Sequence, residues 1–190
     1  MSKDSIIDGI DYGPLAQLIG KWQGDKGLDI APEPDDEEKN AYFETIIFEA
    51  IGTTTNAESQ RLAGLYYHQL VTRSRDKKPL HNQTGYWLWD AENNVIMHSF
   101  TIPRGVCVLA GGEHQDTEQE EVILEVRAAM GDKEWEIIQS PFMKKKARTV
   151  KYFHKLSVKG NALNYQQTMN LEIYGNMFEH TDNNSLTRIK

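Results

Sequence analysis

From Leu163 onward, apolar and polar residues alternate one for one. Leu163, Tyr165, Met169, Leu171 and Ile173 fall on one side, and Asn164, Gln166, Thr168, Asn170 and Glu172 on the other. A period of two is the signature of a half-buried β-strand. Val150, Tyr152, His154, Leu156 and Val158 repeat it just upstream, and Lys159-Gly160-Asn161 between the two runs reads as a short hairpin turn. Val122, Leu124, Val126 and Ala128, set against Glu121, Glu125 and Arg127, make a third case. Segments 41–50, 62–73, 84–90, 94–102, 105–111 and 184–190 are also short, rich in β-branched and aromatic residues, and bounded by Gly, Asn, Asp or Pro.

With Gly20 to Gly27 added, the pattern predicts about ten strands. Helical spacing is confined to Tyr12–Ile19, where Pro14, Leu15, Leu18 and Ile19 suit one or two turns. The pattern is therefore read as an all-β fold: a single antiparallel up-and-down β-barrel over residues 1–190, with residues 1–17 as an amino-terminal cap containing a short helix. Periodicity alone leaves a sandwich open as the alternative, but only a barrel of this size encloses space for a small ligand. Residues 31–40, with Pro32, Pro34 and a block of acids, read as an exposed loop.

Composition narrows the function. A net charge of −7 works against sequence-independent binding to phosphate backbones, so no nucleic-acid partner is expected. The run Lys144-Lys145-Lys146, with Arg148 and Lys151, reads as a solvated turn after Pro141. No apolar stretch approaches the roughly 20 residues of a membrane-crossing helix, and the Met-Ser-Lys-Asp-Ser start carries no leader pattern. A cytoplasmic protein without a membrane partner is the expectation. Cys107 is the one cysteine, so no internal disulfide can form; within Val106-Cys107-Val108-Leu109 it reads as a small buried thiol.

Four blocks carry a family resemblance. Gly20-Lys-Trp22-Gln-Gly24 is similar to the Gly-x-Trp-x-Gly opening strand of the nitrobindin family. Pro79-Leu80-His81-Asn82-Gln83-Thr84-Gly85-Tyr86-Trp87 resembles that family's Pro-Leu-His-x-Glu-Thr-Gly-Tyr-Trp block, and Ile102-Pro103-Arg104-Gly105-Val106 falls at its Pro-Thr-Gly turn. Leu163–Met169, followed by His180, Leu186 and Arg188, resembles its last two strands. The blocks run in family order from about residue 18 to the carboxyl terminus. The resemblance implies a ten-stranded barrel, lipocalin-like and similar in shape to fatty-acid-binding proteins, holding heme b, with a ferric iron on one axial histidine and chemistry with nitric oxide or peroxynitrite, an isomerase activity if heme is bound. The chain also departs from the family. Its Tyr-Pro-Thr-Ile segment is replaced by the acidic loop, Glu179 stands where the family has Pro, and Thr181-Asp182-Asn183-Asn184 reads as a turn after the histidine.

The resemblance makes His180 the metal and cofactor ligand, with His81, Trp22 and Met169 as further heme-contacting candidates. Each also has a plain structural reading: His180 as an exposed turn residue, His81 as a loop residue, Trp22 and Met169 as packing. Trp87, Trp89, Tyr86 and Met177 are weaker candidates of the same kind, while His154 reads as a core histidine. Cys pairs and a His-x-x-x-His spacing are both missing, so no zinc-type site can be assembled from motifs. A nucleophile elbow, a phosphate loop and a dinucleotide fingerprint are missing too, so any reaction would belong to a cofactor. The alternative function is a non-enzymatic carrier of a fatty acid or another hydrophobic small molecule, its carboxylate paired by Arg73, Arg104, Arg127 or Arg188. A homodimer is compatible with either reading.

Overall fold

The computed structural model describes residues 5–114 and 121–190. Met1–Asp4, most of the start read for a leader, lie outside the described residues. A small hairpin of β1 (Ile6–Ile7) and β2 (Ile10–Asp11) leads into a 3-10 helix, Gly13–Leu18. The sheet then builds through β3 (Gly20–Pro32), β4 (Glu37–Ala57), β5 (Gln60–Arg73), β6 (Pro79–Asp90), β7 (Val95–Ile102), β8 (Val106–Glu113) and β9 (Val122–Ala129). It continues with β10 (Ile137–Gln139), the short helix α1 (Pro141–Lys146), β11 (Ala147–Lys159), β12 (Ala162–Ile173) and β13 (Asn176–Ile189).

Every pairing is antiparallel, and neighbours in sequence are neighbours in the sheet from β3 to β8 and from β11 to β13. β13 pairs with β3, β11 with β9, and β9 meets β8 at Gly111 and Arg127, which closes a barrel of ten strands. Closure removes exposed sheet edges. β10, which the sequence pattern missed, is an extra strand that pairs with Val106–Val108 on the edge of β8 away from β7.

Alternation decides which side chains fill the interior. Leu163, Tyr165 and Met169 of β12 and Tyr152, His154, Leu156 and Val158 of β11 point inward, as the pattern predicts. Val150 does not belong with them, because a bulge between Thr149 and Lys151 shifts the register and buries Thr149 instead. Gly160 has a positive φ of 57°, as the tight turn between β11 and β12 requires. Cys107 corrects the expectation of a buried thiol: β8 turns Val106, Val108 and Ala110 inward and leaves Cys107 exposed. The lysine run is solvated but helical, since Ser140 caps the backbone N–H of Met143 and Pro141 opens α1.

One end of the barrel is plugged. The 3-10 helix sets Leu15 and Leu18 against it, and Trp22 beneath them donates its indole N–H to the Leu18 carbonyl at 2.7 Å. Arg188 lies over the Trp22 ring, 4.2 Å from its centroid, and donates to the carbonyls of Ile19 and Gln17. The core continues through Leu65, Ile96, Leu124, Leu156 and Val158. The opposite end, between the β3–β4 turn and α1, is open.

Candidate functional site

Two misread segments build the open end. Residues 31–40 do not form one exposed loop: β3 runs to Pro32, β4 starts at Glu37, and Asn40 is buried. Nor is Thr181–Asn184 a turn, since β13 is continuous from Asn176 to Ile189 and its even-numbered residues, His180, Asp182, Asn184 and Leu186, face inward. Local propensity favours a turn at Asp-Asn-Asn, but partners inside the barrel override it. Asn184 donates to the Glu44 carboxylate at 2.8 Å, and Asp182 accepts from Gln167 at 3.4 Å.

The mouth holds a cavity of about 380 Å³, within the usual range for small-ligand sites. Val71, Ile102, Met143, Met169, Leu171 and Ile173 give it apolar walls, and Arg104 stands at its rim. Its polar side is carried by His180, Asp29, Asp182, Asn40, Gln167 and Tyr165. A larger groove of about 620 Å³ lies on the outer surface, lined by outward-facing side chains such as Glu125, Phe153 and Lys155, and brings no candidate residue together.

Sheet register sets the polar side. Asn40 pairs with Asp29, Asp29 with Asp182, Asp182 with Gln167, and Gln167 with His154, so one row crosses β4, β3, β13, β12 and β11. His180 stands two residues along β13, on the same face as Asp182. Its Nδ1–H donates to the Ile30 carbonyl at 2.8 Å, which leaves Nε2 3.3 Å from Asp182 Oδ2 and 3.7 Å from Asp29 Oδ1. Burial opposes the imidazolium, but the hydrogen bond it donates to Asp182 and the charges of Asp182 and Asp29 outweigh it and raise the His180 pKa to about 9. Burial, with repulsion from Asp182, lifts Asp29 to about 6 despite the attraction of His180.

Beneath the cavity the barrel is polar. Glu44 is fully buried and accepts from Tyr165, Asn184 and Gln69; burial lifts it to about 7 against those three donors. Tyr42 is bonded to Tyr165 at 2.8 Å, and its ring lies flat on Gly27, where a Cβ would come within 2.0 Å of it. A second chain runs inside: the Gln83 amide donates to the Tyr67 hydroxyl, Tyr67 to His98 Nε2, and His98 Nδ1–H to Tyr152. Tyr152 in turn reaches His154 and Gln167. Burial holds His98 well below its ordinary pKa, and the neighbouring His154 adds to this, so the chain is neutral.

The structure brings His180, His81 and Met169 to the cavity and leaves Trp22 at the plugged end. His81 donates from Nε2 to Gln83 Oε1 at 3.0 Å. Trp87 stacks on His98 in the core, Trp89 packs under Gly13 of the 3-10 helix, and Tyr86 and Met177 are exposed. Asp29, Asp182, Asn40 and Glu44 escaped the sequence reading because hydrophobic alternation does not mark polar residues that point inward. Continuing the period of two back from Leu186 through Asn184 and Asp182 to His180 would have found one of them, Asp182.

Comparison with known proteins agrees with this architecture. Residues 11–188 match the family model of the THAP4-like, heme-binding β-barrel domain. The crystal structure of Rv2717c from M. tuberculosis superposes with a TM-score of 0.68 at 20% identity, covering 93% of this chain and 95% of that one. At that identity the likeness shows the fold alone. No curated protein matches the chain.

Proposed function

Because the chain belongs to the THAP4-like, heme-binding β-barrel family, the nitrobindin family that its sequence resembles, we propose that the mouth cavity binds heme b with His180 as the axial ligand. One observation carries the reading. The Ile30 carbonyl takes the Nδ1 proton and fixes the ring with Nε2 turned to the cavity, as metal-bound histidines are commonly held by a partner on their other nitrogen. The walls of Val71, Ile102, Met169 and Leu171 suit a flat apolar body, and Arg104 at the rim suits an acidic edge.

The donor set fits a porphyrin iron under one condition. Asp29 and Asp182 have to turn away from Nε2, and His180 has to give up the proton shared with them. When bound, heme supplies a ferric iron at which nitric oxide or peroxynitrite can react. The chain's own residues orient the imidazole, wall off water and admit small ligands past His81 and Arg104. A fatty-acid carrier is the weaker alternative. Asp29 and Asp182 face the cavity and Glu44 underlies it, and of the four arginines only Arg104 reaches the cavity, at its rim: Arg73 pairs with Asp76, Arg188 stacks on Trp22 and Arg127 is exposed on the outer face.

Titration of the purified chain with hemin, followed by visible absorption, tests the reading. One hemin per chain with a histidine-ligated ferric spectrum is expected. A spectrum of free or loosely adsorbed hemin at all ratios would reject it.

A further inference from the structure

Among the described residues, one place gathers three metal-ligating side chains: His180 Nε2 and one oxygen each of Asp29 and Asp182, all within 4.8 Å of one another. We propose that these three residues bind a single divalent first-row transition cation of the zinc or cobalt type, with a coordination position left open toward the cavity. The inference adds an occupant that the heme reading does not include, and it shares the His180 nitrogen with that reading, so the two occupants exclude each other.

Four observations support it. Asp29 and Asp182 are cross-strand partners whose carboxylates lie within 4.8 Å of each other and need positive charge beside them; the protonated His180 ring supplies one charge, and a divalent cation in place of its Nε2 proton supplies two. The imidazole is already oriented by the Ile30 carbonyl, which accepts from Nδ1–H and raises the basicity of Nε2 toward a metal. One imidazole and two carboxylates form a mixed nitrogen and oxygen set, which suits zinc, cobalt, iron(II) or manganese better than calcium, and three protein ligands with an open position are the usual plan of a reactive zinc site. The fourth observation concerns Asn40. Only 3% exposed, it lines the same cavity with its amide nitrogen 3.5 Å from Asp29, yet its Oδ1 has no hydrogen-bond partner. A buried carbonyl oxygen left unpaired costs stability, and a cation or its bound water beside Asp29 would satisfy it.

No sequence motif marks this site. Its ligands come from β3 and β13, about 150 residues apart in sequence, so no local spacing encodes them.

The test uses the full chain without a histidine tag, stripped of metal with a chelator. Calorimetric titration with zinc chloride should show one saturable site, and cobalt(II) should develop visible ligand-field bands at the same stoichiometry. Asp29→Asn and Asp182→Asn, which keep side-chain shape, should each weaken zinc by about tenfold or more, the scale at which even supporting partners of a metal ligand matter. Both variants should still give the histidine-ligated hemin spectrum, and zinc-saturated wild type should take up hemin less tightly. Loss of hemin binding with zinc binding intact would reject the heme reading and leave this one standing. Absence of a saturable zinc site, or zinc affinity unchanged in both aspartate variants, would overturn the cation proposal whatever hemin does.

Discussion

Asp182 of β13 lies directly opposite Asp29 of β3, and both carboxylates converge on the Nε2 side of one imidazole, that of His180. The Nε2 proton is thereby held by protein before any ligand arrives. Weakening that hold should favour iron. Asp182→Asn is expected to bind hemin at least as tightly as wild type, measured by absorption titration, since a neutral amide competes less for the ring nitrogen. Weaker hemin binding in this variant would mean that Asp182 supports the imidazole as an axial ligand instead of competing for it.

Glu44 gives the mouth a pH signature of its own. Its carboxyl is raised from 4.5 unfolded to about 7 folded, chiefly by burial. An acid raised on folding stabilises the fold fully below its unfolded pKa, and that contribution is lost as pH rises through the folded one. Between pH 4.5 and 7 the wild type should therefore lose stability relative to Glu44→Gln, by roughly 3 kcal/mol over the whole window at about 1.4 kcal/mol per unit. Denaturant unfolding of both proteins at several pH values reads the difference. Parallel curves across the window would show that Glu44 keeps an ordinary carboxyl pKa.

Much of the barrel was legible in the sequence because β11 and β12 bury apolar residues at every second position and turn at a glycine. β13 was not, because its inward positions at the mouth are His180, Asp182 and Asn184, which hydrophobic patterning scores as surface and turn chemistry claims as a loop. Their strand state depends on partners distant in sequence, Glu44, Ile30 and Gln167. His180, His81 and Met169 were found through block resemblance, not through periodicity. Trp22 was picked by the same route and stands elsewhere, since a conspicuous tryptophan near a glycine pair signals packing as readily as ligand contact.

Trp22 supplies a control for that distinction. Trp22→Ala removes a fully buried ring, its bond to the Leu18 carbonyl and its stack with Arg188. The expected cost is about 3–5 kcal/mol in denaturant unfolding, typical of large-to-small changes in a core. The folded fraction should still bind hemin with wild-type spectrum and stoichiometry. A changed Soret band in folded Trp22→Ala would place this end of the barrel in contact with the ligand.

Cavity volume can be tested from the wall. Val71 is buried on β5, register partner of Glu44 and His81, and lines the cavity, so Val71→Trp should fill space that the ligand needs. Overpacking of this kind costs about 1–3 kcal/mol, which a closed barrel should survive. Hemin affinity should fall by at least about tenfold while far-ultraviolet circular dichroism remains that of a β protein. Unchanged affinity would move the ligand out of this cavity.

The most direct test of His180 as the axial ligand is chemical rescue. His180→Ala removes the ring while leaving the Ile30 carbonyl and the apolar walls in place, so hemin should enter the cavity without the wild-type ferric Soret band. Added imidazole should then occupy the vacated space and restore that band at one hemin per chain, whereas wild type should not respond in the same way. A His180→Ala complex whose spectrum already matches wild type before any imidazole is added would contradict the account.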